Sequence, residues 1–123
     1  MARILIIDDE PSVRRSVRKI LEIPGHEVDE AADGFAGMAM HATRRYDVVI
    51  TDFSMPGFDG VEVIASLRRL DEKLKFILIS GGDRGGFTTR AADVGAVWVL
   101  AKPFSVQELT GLVHAIVEGS NPN

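Results

Sequence analysis

Cysteine is absent from the 123 residues, which excludes a disulfide framework and any thiolate metal site. Long apolar runs are absent too. The first, Ile4-Leu5-Ile6-Ile7, is too short for the core of a signal peptide or for a membrane span. The chain is therefore expected to be cytoplasmic, with no membrane partner. There is no basic excess: 14 Lys and Arg stand against 18 Asp and Glu, a formal charge of −4. That balance argues against direct nucleic-acid binding, which normally needs a basic face. Low-complexity tracts and internal repeats are also missing. Only Gly119-Ser120-Asn121-Pro122-Asn123 reads as a tail. The expected organisation is one domain over 1–118, long enough to bury a core without staples, and a tail or start of linker over 119–123.

What is present is an alternation of aliphatic runs and helix-period stretches. Ile4 to Ile7 closes on Asp8-Asp9-Glu10, and Pro11 suits the first turn of a helix because its missing N–H costs nothing there. Val13, Val17, Ile20 and Leu21 repeat at helical spacing until Pro24-Gly25. His26 to Ala32 is a more polar strand, suited to a sheet edge. Asp33 caps a predicted helix carrying Phe35, Met38, Ala39 and Ala42 on its inward face. Val48-Val49-Ile50-Thr51 leads to Asp52, and a helix from about Gly60 turns Val63, Ile64, Leu67 and Leu70 inward. Phe76 to Ile79 ends at Ser80, before the glycine-dense loop Gly81-Gly82-Asp83-Arg84-Gly85-Gly86. A short helix through Ala91 and Ala92 should stop at Gly95. Val97 to Ala101 leads into Lys102-Pro103-Phe104, and Leu109, Leu112, Val113, Ile116 and Val117 give the closing helix an apolar stripe. Strands alternating with helices specify an α/β fold with a parallel sheet covered on both faces. Right-handed crossovers leave the flavodoxin-like, doubly wound order 2-1-3-4-5 as the commonest choice for five strands and five helices.

In such a sheet every strand points the same way, so the groups at the strand ends emerge on one edge. These are Asp8 and Asp9, Asp52, Ser80 and Lys102. Carboxylates gathered there repel, and their pKa values rise unless a cation compensates. Mg²⁺ is the natural hard cation, needing only one or two carboxylates plus waters and phosphate oxygens. Lys102 adds a positive charge and Ser80 a hydroxyl for an oxyanion. These are parts for phosphoryl transfer, where positioning and charge neutralisation dominate, and an Asp carboxylate can itself be the nucleophile.

Asp8-Asp9, the loop Asp52-x-x-Met55-Pro56-x-x-Asp59-Gly60, Ser80 and Lys102-Pro103-Phe104, in this order, resemble the receiver domain of two-component response regulators over essentially the whole chain. The resemblance implies that Asp52 is the phospho-acceptor. It implies a Mg²⁺ held by Asp9 directly, Asp8 through its waters, Asp52, and the backbone carbonyl of Ser54. Lys102 would pair with the acceptor and then with the phosphoryl group, Ser80 would move toward that group, and the Lys102-Pro103 bond would be cis. The phosphodonor would be a sensor histidine kinase or a histidine phosphotransfer protein. The readout would be a change in the loop after the fourth strand and in the surface of the fourth helix, fifth strand and fifth helix. That surface would serve a fused output domain, a separate protein target or a second copy of the chain. In this picture the protein is a switch that assists its own phosphorylation, not an enzyme.

One position departs from the family's pattern. The aromatic residue three before the lysine is replaced by Val99, and strand alternation points its neighbour Trp98 to the opposite face. The readout is therefore expected to rely on loop and helix motion, with the loop around Gly81–Gly86 as the most mobile internal segment. Ser54 and Gly82, two past the acceptor and two past the hydroxyl, are small and imply a phosphoryl lifetime in the family's middle range. On the first helix Arg14, Arg15, Arg18 and Lys19 are read as a solvent-facing basic patch for kinase docking, set against a solvated face balanced by Glu22. A haloacid-dehalogenase-like phosphatase would need an acid where Ser54 stands. A phosphorylation-independent binding module would have no need of intact Asp8, Asp9, Asp52, Ser80 and Lys102.

Overall fold

The computed structural model describes residues 2–81 and 97–119. The strands are β1 (Arg3–Ile7), β2 (Glu27–Ala31), β3 (Val48–Asp52), β4 (Lys75–Ser80) and β5 (Trp98–Ala101). The helices among the described residues are α1 (Pro11–Glu22), α2 (Gly34–Arg44), α3 (Gly60–Leu70) and α4 (Val106–Val117). The sheet order is β2-β1-β3-β4-β5 with every pairing parallel, as the alternation of elements predicts. The glycine-dense loop beyond Gly81, its expected mobility, and the helix expected through Ala91 and Ala92 lie outside the described residues. No helix among the described residues is long and apolar enough to cross a membrane.

Strand alternation divides the core into two layers. Ile4, Ile6, Val48, Ile50, Ile77 and Ile79 face α1 and α4, where they meet Val17, Leu21, Leu109, Val113 and Ile116. Leu5, Ile7, Val49, Phe76 and Leu78 face the opposite way, toward α2 and α3, with Val63, Ile64 and Leu67. Each fully buried aliphatic side chain contributes about 1.5–3 kcal/mol over leaving it in water, so β1, β3 and β4, covered on both faces, anchor the fold.

The helix ends follow the expected chemistry. Asp33 accepts from the Ala36 N–H at 2.8 Å. Asp59 and Glu62 form a reciprocal capping box at the start of α3, and Ser105 and Glu108 form another at the start of α4. Pro11 opens α1, and Gly25 follows it at φ 105°, where a Cβ would be strained.

The expected inward face of α2 holds only at Met38, which packs half-buried against the core. Phe35, Ala39 and Ala42 are exposed, and the buried positions are Gly34, Gly37 and His41. The cause is close approach. A Cβ on Gly37 would lie 2.5 Å from Ile7 Cδ1, and one on Gly34 would run into the Phe58 ring and Val63. At these two glycines the helix lies too near its neighbours for a side chain, and Phe35 stacks on Phe58 instead, ring centroids 4.7 Å apart. Leu70, expected inside α3, is 59% exposed at the helix's last turn. His41 is buried and satisfied: its Nδ1 accepts from the Tyr46 N–H at 3.0 Å, and its Nε2 lies 3.1 Å from Asp71 Oδ2.

Candidate functional site

The carboxyl ends of β1, β3, β4 and β5 deliver the polar residues to one edge. β3 is buried along its whole length, so Asp52 is fixed by the packing of Val48 to Thr51. Beyond it the Phe53 N–H donates to the Ile79 carbonyl at 2.8 Å and the Gly60 N–H to the Phe53 carbonyl at 3.0 Å. The loop after β3 thus returns at once to α3. Gly60 is the only residue type that fits there. A Cβ would collide with the Asp52 carbonyl oxygen and lie 3.0 Å from the Phe53 Cα, both backbone atoms with no freedom to give.

Asp8, Asp9 and Asp52 come together, each offering one oxygen within 4.8 Å of the others. Asp8 and Asp52 are buried while Asp9 is exposed. Lys102 Nζ lies 3.3 Å from Asp52 Oδ1, and the Lys102-Pro103 peptide bond is cis. The Lys102 N–H donates to the Ser80 carbonyl at 2.8 Å, which ties the end of β5 to the end of β4.

Burial pushes the Asp52 carboxyl above the ordinary carboxylate range. Lys102 pulls it down by charge and hydrogen bond, and Asp9 pushes it up. Asp8 is raised for the same first reason, and the Asp52 charge adds to it against the Glu10 N–H bond. Two raised carboxyls and a third acid beside them make an oxygen-only donor set short of positive charge. That set fits a hard divalent cation such as Mg²⁺. Ser80 is 1% exposed, and its Oγ makes no hydrogen bond among the described residues. A buried hydroxyl without a partner costs roughly 1–3 kcal/mol, so this edge also has a donor to offer an incoming oxyanion.

The other residues picked out by sequence sit as follows. Ser54 is exposed in the loop after β3, two residues past Asp52. Val99 is 47% exposed, whereas Trp98 packs on the opposite layer with α1 and α4. The basic face of α1 is not a single solvent-facing patch. Arg14 Nε is 3.3 Å from Glu30 Oε1, Arg18 bridges Glu22 at 3.0 Å and Glu30 at 3.3 Å, and of the four basic residues only Arg15 and Lys19 are exposed. Sequence reasoning missed one contact at the site: Arg14 Nη1 donates to the Asp8 carbonyl at 2.7 Å. Glu30 lies on another strand, so nothing in the linear spacing marks it.

Residues 4–114 match the family described as the response regulator receiver domain. The response regulator MprA of Mycobacterium sp. (strain KMS) is 34% identical over 121 residues, 98% of this chain and 53% of that protein. The chain thus spans about half the length of the response regulators it matches. Among solved structures, the chemotaxis protein CheY4 of Vibrio cholerae superposes with a TM-score of 0.88 at 30% identity, covering 94% of this chain and 98% of that one. The receiver domain of NtrX from Brucella abortus gives 0.87 at 28%, covering 95% and 99%. With the sheet order and the acidic edge already in place, these matches settle the family: the chain belongs to the response regulator receiver domains.

Proposed function

We propose that the protein is a phospho-accepting signalling switch whose acceptor is Asp52. The observation that carries this is the pairing of a buried Asp52 with Lys102 at 3.3 Å, beside Asp8 and Asp9. The donor is the phosphohistidine of a sensor histidine kinase or a histidine phosphotransfer protein. An Asp52 carboxylate oxygen attacks phosphorus as the P–N bond breaks. The bond's electron pair stays on the imidazole nitrogen, which takes a proton from water. Asp9, Asp52 and the Ser54 backbone carbonyl would hold Mg²⁺, with Asp8 holding its waters, and the bound ion would supply charge neutralisation for the phosphoryl oxygens.

The chain's own groups then divide the work. Lys102, 3.3 Å from Asp52 Oδ1, favours its ionised form and orients it before transfer, and afterwards pairs with a phosphoryl oxygen. Ser80 has a hydroxyl ready to donate to another. Transfer places about −1.5 to −2 charge units and three acceptor oxygens at the sheet edge. Ser80 moves to meet them, and the segment after β4 follows it. With Val99 at the position where many relatives carry an aromatic, the readout runs through loop and helix motion on the surface that includes β5 and α4. That surface serves a fused output domain, a separate target or a second copy of the chain. Residues 1–118 form the receiver unit in this reading, and 119–123 a tail or linker.

Beryllofluoride with Mg²⁺ tests this by mimicking the phosphoryl group without a donor. The amide resonances of Ser80 and Lys102 should shift in the wild type and stay in place in Asp52→Ala. An unchanged wild-type spectrum would instead mark a phosphorylation-independent binding module.

A further inference from the structure

Arg14 is placed as a building part of the acidic site and not as a surface charge. Its Nη1 donates to the Asp8 carbonyl at 2.7 Å, and its Nε donates to Glu30 Oε1 at 3.3 Å. The two side chains are 15% and 22% exposed. Glu30 is held in turn by Arg18 Nη1 at 3.3 Å. Asp8 is consequently fixed at three points. Its N–H donates to the Ala31 carbonyl at 3.2 Å, its carbonyl takes Arg14, and its Oδ1 takes the Glu10 N–H at 2.9 Å. What is left is the face of its carboxylate toward Asp9 and Asp52.

We propose that Arg14 is a positioning residue for the cation site, fixing the Asp8 backbone so that its carboxylate stays aimed at Asp9 and Asp52. The inference rests on the Mg²⁺ reading above. Arginine suits the task because its planar fork makes two bonds in divergent directions at once, and lysine presents only a point charge. The bond to Asp8 is charge-assisted and short, the stronger kind of hydrogen bond. Glu30, on β2, keeps the fork turned toward the turn between β1 and α1.

The test is calorimetric Mg²⁺ titration of the purified chain as wild type, Arg14→Met, Arg14→Lys and Glu30→Gln, with thermal unfolding in EDTA in parallel. Loss of a partner that orients a metal ligand typically weakens binding about 10-fold or more. Arg14→Met should reach that mark, and Arg14→Lys and Glu30→Gln should fall between it and the wild type. The Asp9 and Glu10 amide resonances of the metal-free protein should shift in step. A purely structural role would lower the unfolding midpoint and leave the dissociation constant within twofold, which overturns the proposal. If Arg14→Met does not fold, wild-type affinity in both Arg14→Lys and Glu30→Gln overturns it equally. A wild type that takes no Mg²⁺ removes the site reading and this inference together. A wild type that binds, with variants indistinguishable from it, removes this inference alone.

Discussion

Asp8 and Asp52 are both pushed above the ordinary carboxylate range, burial being the largest cause for each. A carboxyl whose pKa is higher folded than unfolded holds its proton better in the folded state. Its stabilising effect is whole below the unfolded value and is lost as pH rises through the folded one. The metal-free protein should therefore lose stability as pH climbs from about 4, the unperturbed carboxylate value, toward neutrality. Urea unfolding at a series of pH values in EDTA measures this, and saturating Mg²⁺ should flatten the slope. Asp8→Asn keeps an acceptor for the Glu10 N–H and removes the charge. It should stabilise the metal-free fold at pH 7 by roughly 1 kcal/mol, a typical single-site effect, while abolishing the benefit from Mg²⁺. A destabilised Asp8→Asn would mean that the carboxylate is better compensated than the geometry allows.

At the scale of elements, the junction between β3 and α3 is where packing and chemistry meet. Gly60→Ala forces a methyl against the backbone of Asp52 and Phe53, where neither neighbour can move aside. Overpacking of this kind should cost about 3 kcal/mol and slow phosphorylation by acetyl phosphate, because the acceptor's own carbonyl must shift. Asp59→Ala removes only one side of a capping box. It should cost about 1 kcal/mol and leave the acceptor's reactivity nearly unchanged. Chemical denaturation and acetyl-phosphate kinetics on the two variants separate the effects.

What the sequence discloses about these elements follows from the kind of signal each one carries. Asp52, Ser80 and Lys102 were legible because each ends a short aliphatic run, and a parallel sheet brings all such ends to one edge. The inward face of α2 was not, since Gly34 and Gly37 bury by being small. Hydrophobic periodicity is blind to a face made of hydrogens, so Phe35 looked like core. Arg14 reads as a surface charge because Glu30 becomes its neighbour only once β2 lies beside β1, and the Asp8 carbonyl only once α1 folds back from the end of β1.

At the scale of the molecule, the way α1 distributes its charges decides which residues are free to meet a partner. Arg14 and Arg18 are committed to Glu30 and Glu22, leaving Arg15 and Lys19 exposed. Arg15→Glu should slow transfer from a partner kinase several-fold at low salt and leave acetyl-phosphate phosphorylation intact, since steering by exposed charges is screened by salt. Arg14→Glu should slow both donors because it disturbs Asp8. Equal slowing by Arg15→Glu with both donors would remove α1 from the docking surface.

Mass spectrometry after incubation with acetyl phosphate and Mg²⁺ decides whether Asp52 takes a phosphoryl group. One phosphoryl group should appear, map to Asp52, require Mg²⁺, and be missing from Asp52→Ala. No added phosphate on the wild type, or the same phosphate on the variant, would mean that Asp52 is not the phospho-acceptor.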